Sequence, residues 1–140
     1  MNLPEDHPVV RFQRLFARVT PASDLGLTQL YHEEVLFIDP FHRLTTRGEL
    51  EQYFARLKKR MTWAEFTFDS AIVTEGAAAL PWRMAFRSKA YPRHMSIEGV
   101  SHLRFNHRIS YHRDYFDVSA LVAEAIPGVG GLFRLLKRLA

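Results

Sequence analysis

The chain has 140 residues, 47% hydrophobic and 13% aromatic, which is ample material for one core and too apolar for a disordered segment. It contains no cysteine, which excludes disulfides, thiolate metal sites and cysteine nucleophiles. Its formal charge of +4 comes from 19 basic residues interleaved with 15 acidic ones, so the gathered basic footprint that nucleic-acid binding needs is missing and no nucleic-acid partner is expected.

Met1 to Asp6 have neither a basic start nor an apolar stretch, and no uncharged run elsewhere reaches the ~20 residues of a membrane helix. A soluble cytoplasmic protein is the expectation. Phe12, Leu15, Phe16 and Val19 recur at helical spacing, which marks an amphipathic first helix ending before Pro21. Ser23 is placed to cap a short second helix from Asp24 to about Tyr31, after which Val35-Leu36-Phe37-Ile38-Asp39 reads as a strand halted by Pro40. Thr46-Arg47-Gly48-Glu49 fits a capping box, and Leu50, Tyr53, Phe54 and Leu57 give the third helix its stripe. The densest basic cluster, Lys58-Lys59-Arg60, falls where that helix ends and its exposed carbonyls favour cations.

From Trp63 onward the period changes to two, through Phe66 and Phe68, then Trp82, Met84 and Phe86, then Ile97, Ser101, Leu103 and Phe105, then His112, Asp114 and Phe116. Turn signals at Glu75-Gly76, Tyr91-Pro92 and Asn106-His107 separate these strands, so antiparallel pairing is the economical arrangement. Helices followed by strands indicate an α+β fold. Beyond a hinge at Ile126-Pro127-Gly128-Val129-Gly130-Gly131, Leu132, Leu135, Leu136 and Leu139 form an apolar stripe beside Arg134, Lys137 and Arg138. Residues 1–120 thus read as one domain and 121–140 as a helical tail. Packing of that tail on the domain or a partner subunit is favoured over membrane contact through it.

Several catalytic signatures are absent. His32-Glu33 would need a histidine where Leu36 stands, Gly128-Val129-Gly130-Gly131 has no preceding strand or following lysine, and there is no Gly-x-Ser-x-Gly elbow. The seven histidines show no close pair on one face, so no metal site is expected.

Two segments point further. Phe37-Ile38-Asp39-Pro40 is similar to the Asp-Pro segment of ketosteroid isomerases. Ser96-Ile97-Glu98-Gly99-Val100, followed by Arg108-Ile109 and His112-Arg113-Asp114-Tyr115-Phe116-Asp117, is similar to the closing strands of limonene epoxide hydrolases. With the order of elements over residues 8 to 117, they resemble the nuclear transport factor 2 superfamily in its SnoaL-like branch. The resemblance implies a cone-shaped α+β domain whose curved antiparallel sheet wraps around helices and encloses an apolar pocket. It further implies a homodimer, a small apolar ligand of polyketide, terpenoid, steroid or lipid type, and no metal or organic cofactor. Asp39 matches the proton-abstracting aspartate of the isomerases, and Asp114 the first aspartate of the hydrolases' Arg-Asp-Tyr-Phe-Asp run. Neither catalytic set is complete: Leu15 or Phe16 stands where the isomerases carry a tyrosine, Ser101 where they carry an acid, and Trp82 and Met84 replace an Arg-x-Asp pair of the hydrolases.

The expectation is therefore that Asp39 and Asp114 face one cavity lined by Phe37, Trp63, Trp82, Met84, Phe86, Ser101, Leu103 and Phe116, with His112 and His42 tuning them or sharing a proton. Carboxylates so placed could serve isomerisation, cyclisation or hydration. Structural alternatives stand beside this reading. Asp39 could simply start the turn at Pro40, Asp114 could pair with Arg83 or Arg104, and Asp117 could cap a following helix. Arg83 should point away from the cavity, because strand neighbours alternate. The competing function is a non-catalytic ligand-binding or interaction module; a third reading is a membrane-associated accessory protein. Ile109, Tyr111 and Tyr115 are expected on the outer face of the sheet, covered by the dimer partner.

Overall fold

His7 and Pro8 start the first helix: the His7 Nδ1 accepts the backbone N–H of Val9 at 3.1 Å, and proline fits the first helical turn, where its missing N–H costs nothing. In the computed structural model, which describes residues 2–89, 93–119 and 138–139, this helix is α1 (Pro8–Ala17), with Val9, Phe12 and Phe16 buried. The expected turn at Tyr91-Pro92 and the hinge at 126–131 lie outside the described residues, as does nearly all of the tail. A short strand β1 (Arg18–Val19) follows directly.

The second helix is shorter than the sequence suggests. Ser23 Oγ accepts the N–H of Thr20 at 2.9 Å and Asp24 Oδ1 that of Gly26 at 3.1 Å, so both close a turn instead of capping. Gly26, left-handed at φ 54, then opens the single turn α2 (Leu27–Leu30). Strand β2 (Tyr31–Ile38) therefore begins four residues before the expected Val35, and β3 (Arg43–Leu44) folds back on it. Helix α3 (Arg47–Arg60) opens on the expected capping box, Thr46 Oγ1 accepting the N–H of Glu49 at 3.1 Å.

Five more strands complete the sheet: β4 (Met61–Phe68), β5 (Ile72–Val73), β6 (Ala77–Ser88), β7 (His94–Phe105) and β8 (Ile109–Phe116). They form one curved, unclosed sheet in the order β1-β4-β6-β7-β8-β2-β3, with β5 against β6. The pairing is antiparallel except between β2 and β8, which run parallel and join the two halves of the chain, a pairing the succession of turns does not announce. Residues opposite one another share a face, so the registers Ser101↔Asp114, Leu103↔His112 and Phe37↔His112 bring these side chains to one concave side.

Helices α1 and α3 fill that side. Phe16 meets Phe54 and Phe66, each at 5.7 Å between ring centroids, and Phe12 meets the His112 ring edge-on at 5.2 Å. On the convex side, Arg83 pairs with Glu98 at 2.6 Å, as alternation requires, and Tyr111 and Tyr115 lie under Arg104 and Arg113 at 4.7 and 4.6 Å. Ile109 does not join them: a register shift between Arg104 and Phe105 turns it inward, and it is completely buried. Among the described residues no helix is long and apolar enough to cross a membrane.

Candidate functional site

Between α1, α3 and the concave face lies a cavity of about 430 Å³. Asp39, His42, His112 and Asp114 all line it, together with Phe37, Trp82, Met84, Phe86, Ser101 and Phe116. Two expected lining residues do not. Trp63 falls on the other parity of β4 from Ala64 and Phe66, which do line the cavity, and meets His94 edge-on instead, at 5.1 Å between ring centroids. Leu103 has the right parity, but it is completely buried in the core below the cavity, opposite Ala78 and His112.

Asp114 sits at the centre of a hydrogen-bonded row. The Ser101 hydroxyl donates to Asp114 Oδ1 at 2.5 Å, and His112 Nε2 reaches the same oxygen at 2.7 Å. Ser101 in turn accepts the indole N–H of Trp82 at 2.9 Å, and the Tyr31 hydroxyl meets His112 Nδ1 at 2.9 Å. Burial, and next the charge of Asp114, push the Tyr31 phenol well above its ordinary pKa. Tyr31 therefore stays protonated and can donate to Nδ1, the arrangement that puts a ring proton of His112 on Nε2, aimed at Asp114. Two donors thus converge on one oxygen, and among the described residues nothing bonds Oδ2. Neither Arg83 nor Arg104 pairs with Asp114, because both lie on the outer face.

Asp39 is engaged differently. Its Oδ1 accepts the backbone N–H groups of Phe41 and His42 at 2.8 and 2.7 Å and lies 3.1 Å from His42 Nδ1, while Oδ2 accepts the Tyr53 hydroxyl at 2.7 Å. This is the turn-forming arrangement of an aspartate, extended by a tyrosine from α3. Burial, followed by the bond to Asp39, pushes the Tyr53 phenol far up. The ring of His42 lies 4.3 Å from that of Tyr53, so the three residues form one cluster beside the cavity.

Tyr31 and Tyr53 are the polar residues that the sequence pattern hides. Tyr31 falls at the end of an expected helix, and Tyr53 reads as one more member of an apolar stripe. The polar tip of Tyr31 becomes visible only with the pairing of β2 and β8, and that of Tyr53 only once α3 lies beside Asp39. Asp117 Oδ1 accepts the N–H of Ser119 at 2.9 Å, as a cap would. Among the described residues no group of three or more histidine, aspartate or glutamate side chains is arranged to hold a metal ion.

A family model described as SnoaL-like domain matches residues 11–112. No curated protein matches the chain. Among solved structures, it is similar to a hypothetical protein with a ketosteroid isomerase-like fold from Catenulispora acidiphila, crystallised with trimethylamine, at 18% identity and a TM-score of 0.73, with 87% of this chain and 92% of that one covered. It is similar to an LEH-like epoxide hydrolase of M. tuberculosis at 17% identity and a TM-score of 0.68, covering 90% and 92%. An NTF2-like protein from Exiguobacterium sp. 255-15 matches at 14% identity and a TM-score of 0.69, covering 79% and 98%. At these identities the likenesses establish the fold, in agreement with the α+β architecture expected from the sequence. Because the family model spans most of the chain, the protein belongs to the SnoaL-like domain family.

Proposed function

We propose that the protein holds a small, largely apolar molecule in its cavity and acts on it by cofactor-free proton transfer, with Asp114 as the base. One observation carries this reading: the carboxylate of Asp114 lines an aromatic cavity with Oδ1 fixed by Ser101 and His112, at 2.5 and 2.7 Å, and Oδ2 left for a substrate proton. Fixing one oxygen aims the other, which is the positioning that general base catalysis requires. From a ketone, Oδ2 would take a proton beside the carbonyl while the electron pair moves onto the carbonyl oxygen. Return of the proton at another carbon gives an isomer, attack by the new carbon nucleophile closes a ring, and the same base directed at water gives hydration. His42, which also lines the cavity with Nδ1 on Asp39, is the candidate to donate a proton. Asp39 serves here by holding His42 and Tyr53 in place.

The second reading is a ligand-binding protein without catalysis. It is favoured by Asp39, whose two oxygens already accept hydrogen bonds and have little left to offer a substrate. Homodimer formation over the outer face of β8, where Tyr115 is 48% exposed, belongs to either reading and is checked by sedimentation.

Deuterium exchange separates the two functions. With β-tetralone, a small apolar ketone with acidic C–H bonds, NMR in deuterated water should show exchange accelerated by the protein and reduced about 10² to 10⁴-fold in Asp114→Asn. Binding of β-tetralone with no accelerated exchange would establish the second reading, and accelerated exchange that is equal in the variant would remove Asp114 as the base.

A further inference from the structure

The cavity is apolar within and cationic at its rim. Of the residues that line it, three are exposed and so frame its opening: Phe41, Arg56 and Arg60. Arg56 and Arg60 stand one turn apart on α3, and among the described residues neither has an acidic partner. The acids of α3 lie at its other end, where Glu49 bonds Thr46 and Glu51 faces Arg47. Lys58, also a lining residue, has its Nζ on the backbone carbonyl of Ser23. On the inside the carboxylates are already supplied with donors, Asp114 by Ser101 and His112, Asp39 by Tyr53 and two backbone N–H groups.

Cations at a helix C-terminus need no ligand to explain them, since they face the last free carbonyls. That account suits Lys59, which is exposed and does not line the cavity. It does not account for Arg56, which stands a full turn before the end of α3 and whose charge lowers the pKa of the Tyr53 phenol inside, against the larger effects that raise it. An arginine fork at the opening of an apolar hollow suits a carboxylate, which it can bind through two parallel hydrogen bonds.

We infer that the ligand is an amphipathic carboxylate, whose apolar body fills the cavity between Phe37, Trp82 and Phe116 and whose anionic head is held at the opening by Arg56 and Arg60. This rests on the cavity being a ligand site and names the class of molecule it takes. The body reaches Asp114, and the head stays in the wet rim, where the guanidinium groups are free to turn toward it.

Isothermal titration calorimetry with decanoate, decanol and decylamine, at low ionic strength and about pH 8 where the acid is ionised, tests this. Decanoate should bind about tenfold tighter than decanol, the order expected of charge pairs at a half-exposed rim, and added salt should shrink the margin. The double variant Arg56→Gln/Arg60→Gln should bring the two ligands to within about twofold, and Lys59→Gln should leave the preference intact. Equal binding of decanoate and decanol by the unaltered protein overturns the inference while leaving the pocket in place. So does tighter binding of decylamine, or a preference that survives in the double variant. Failure of all three ligands to bind removes the pocket reading and this inference together, and the decanol titration tells the two failures apart.

Discussion

His112 Nε2 lies 2.7 Å from Asp114 Oδ1, on the same strand and two residues away. Residues i and i+2 of a strand share a face, so this pair costs the fold nothing to align. The supports come from elsewhere: Ser101 from β7, Trp82 from β6 and Tyr31 from β2, each adding a donor that points toward the same carboxylate. Four strands thus contribute to the row that holds one oxygen atom, two of its members touching it directly.

Tyr31→Phe removes the donor to His112 Nδ1 within a fully buried contact. The lone pair left without a partner should lower stability by about 1–3 kcal/mol, read from urea unfolding. Nitrogen chemical shifts of His112 should then show the ring proton no longer held on Nε2. An unchanged tautomer would mean that Asp114 alone orients the ring.

Asp39→Ala strands the N–H groups of Phe41 and His42 and the hydroxyl of Tyr53. Stability should fall by about 2 kcal/mol or more, since bonds to a charged acceptor are the stronger kind. Proton exchange on β-tetralone should fall less than in Asp114→Asn. Equal losses in both variants would make Asp39 a partner in the chemistry instead of the keeper of a turn.

Alkaline pH should weaken the fold through the buried phenol of Tyr31 and the half-buried one of Tyr53. Both hold their protons in the folded chain beyond the ordinary value of 10.0, Tyr31 through burial and Asp114, Tyr53 through burial and Asp39. The unfolded chain therefore binds fewer protons above pH 10.0, and stability that is intact below that pH declines as it rises toward the folded values. Urea midpoints measured across this range should fall, and Tyr31→Phe with Tyr53→Phe should flatten the decline. A midpoint independent of pH in the unaltered protein would contradict the protonated, donating state assigned to both.

Gly99→Ala should disturb the site from the strand opposite. A Cβ there would lie 2.5 and 2.6 Å from the Trp82 ring carbons Cη2 and Cζ2 and 2.6 Å from the carbonyl oxygen of Tyr115. The indole and a backbone must both give way, which overpacking data put at about 1–3 kcal/mol. The Trp82 indole N–H resonance should move as its bond to Ser101 lengthens; a resonance that stays put would show that the ring slides without releasing the serine.

Much of this was legible in the sequence because it depends on local period. The stripe of Phe12 and Phe16, the capping box at Thr46 and the alternation through Trp82, Met84 and Phe86 fix their elements without reference to distant residues. Asp39 and Asp114 could be selected because their segments resemble those of ketosteroid isomerases and limonene epoxide hydrolases, and an aspartate within a strand also stands out. What could not be read depends on pairing across the chain. The helical reading of residues 24–31 hides Tyr31, the parallel alignment of β2 with β8 has no local signature, and the shift beside Phe105 that buries Ile109 is set by two strands together. Trp63 was misplaced for a related reason, since one apolar residue on the wrong parity looks the same in a list of aromatics as one on the right parity.

The parallel alignment of β2 with β8 also governs when the site comes into being. Tyr31 and His112 are separated by 81 positions, and their meeting waits for β8, the last of the eight strands among the described residues, to slot in alongside β2. On a ribosome the hollow would be built from its walls first and gain His112 and Asp114 only after them, so a nascent chain halted before residue 109 would offer greasy walls without Asp114 among them. Such long-range closure also makes for slow folding, and the interval before it is when an exposed lining is most open to capture by other chains.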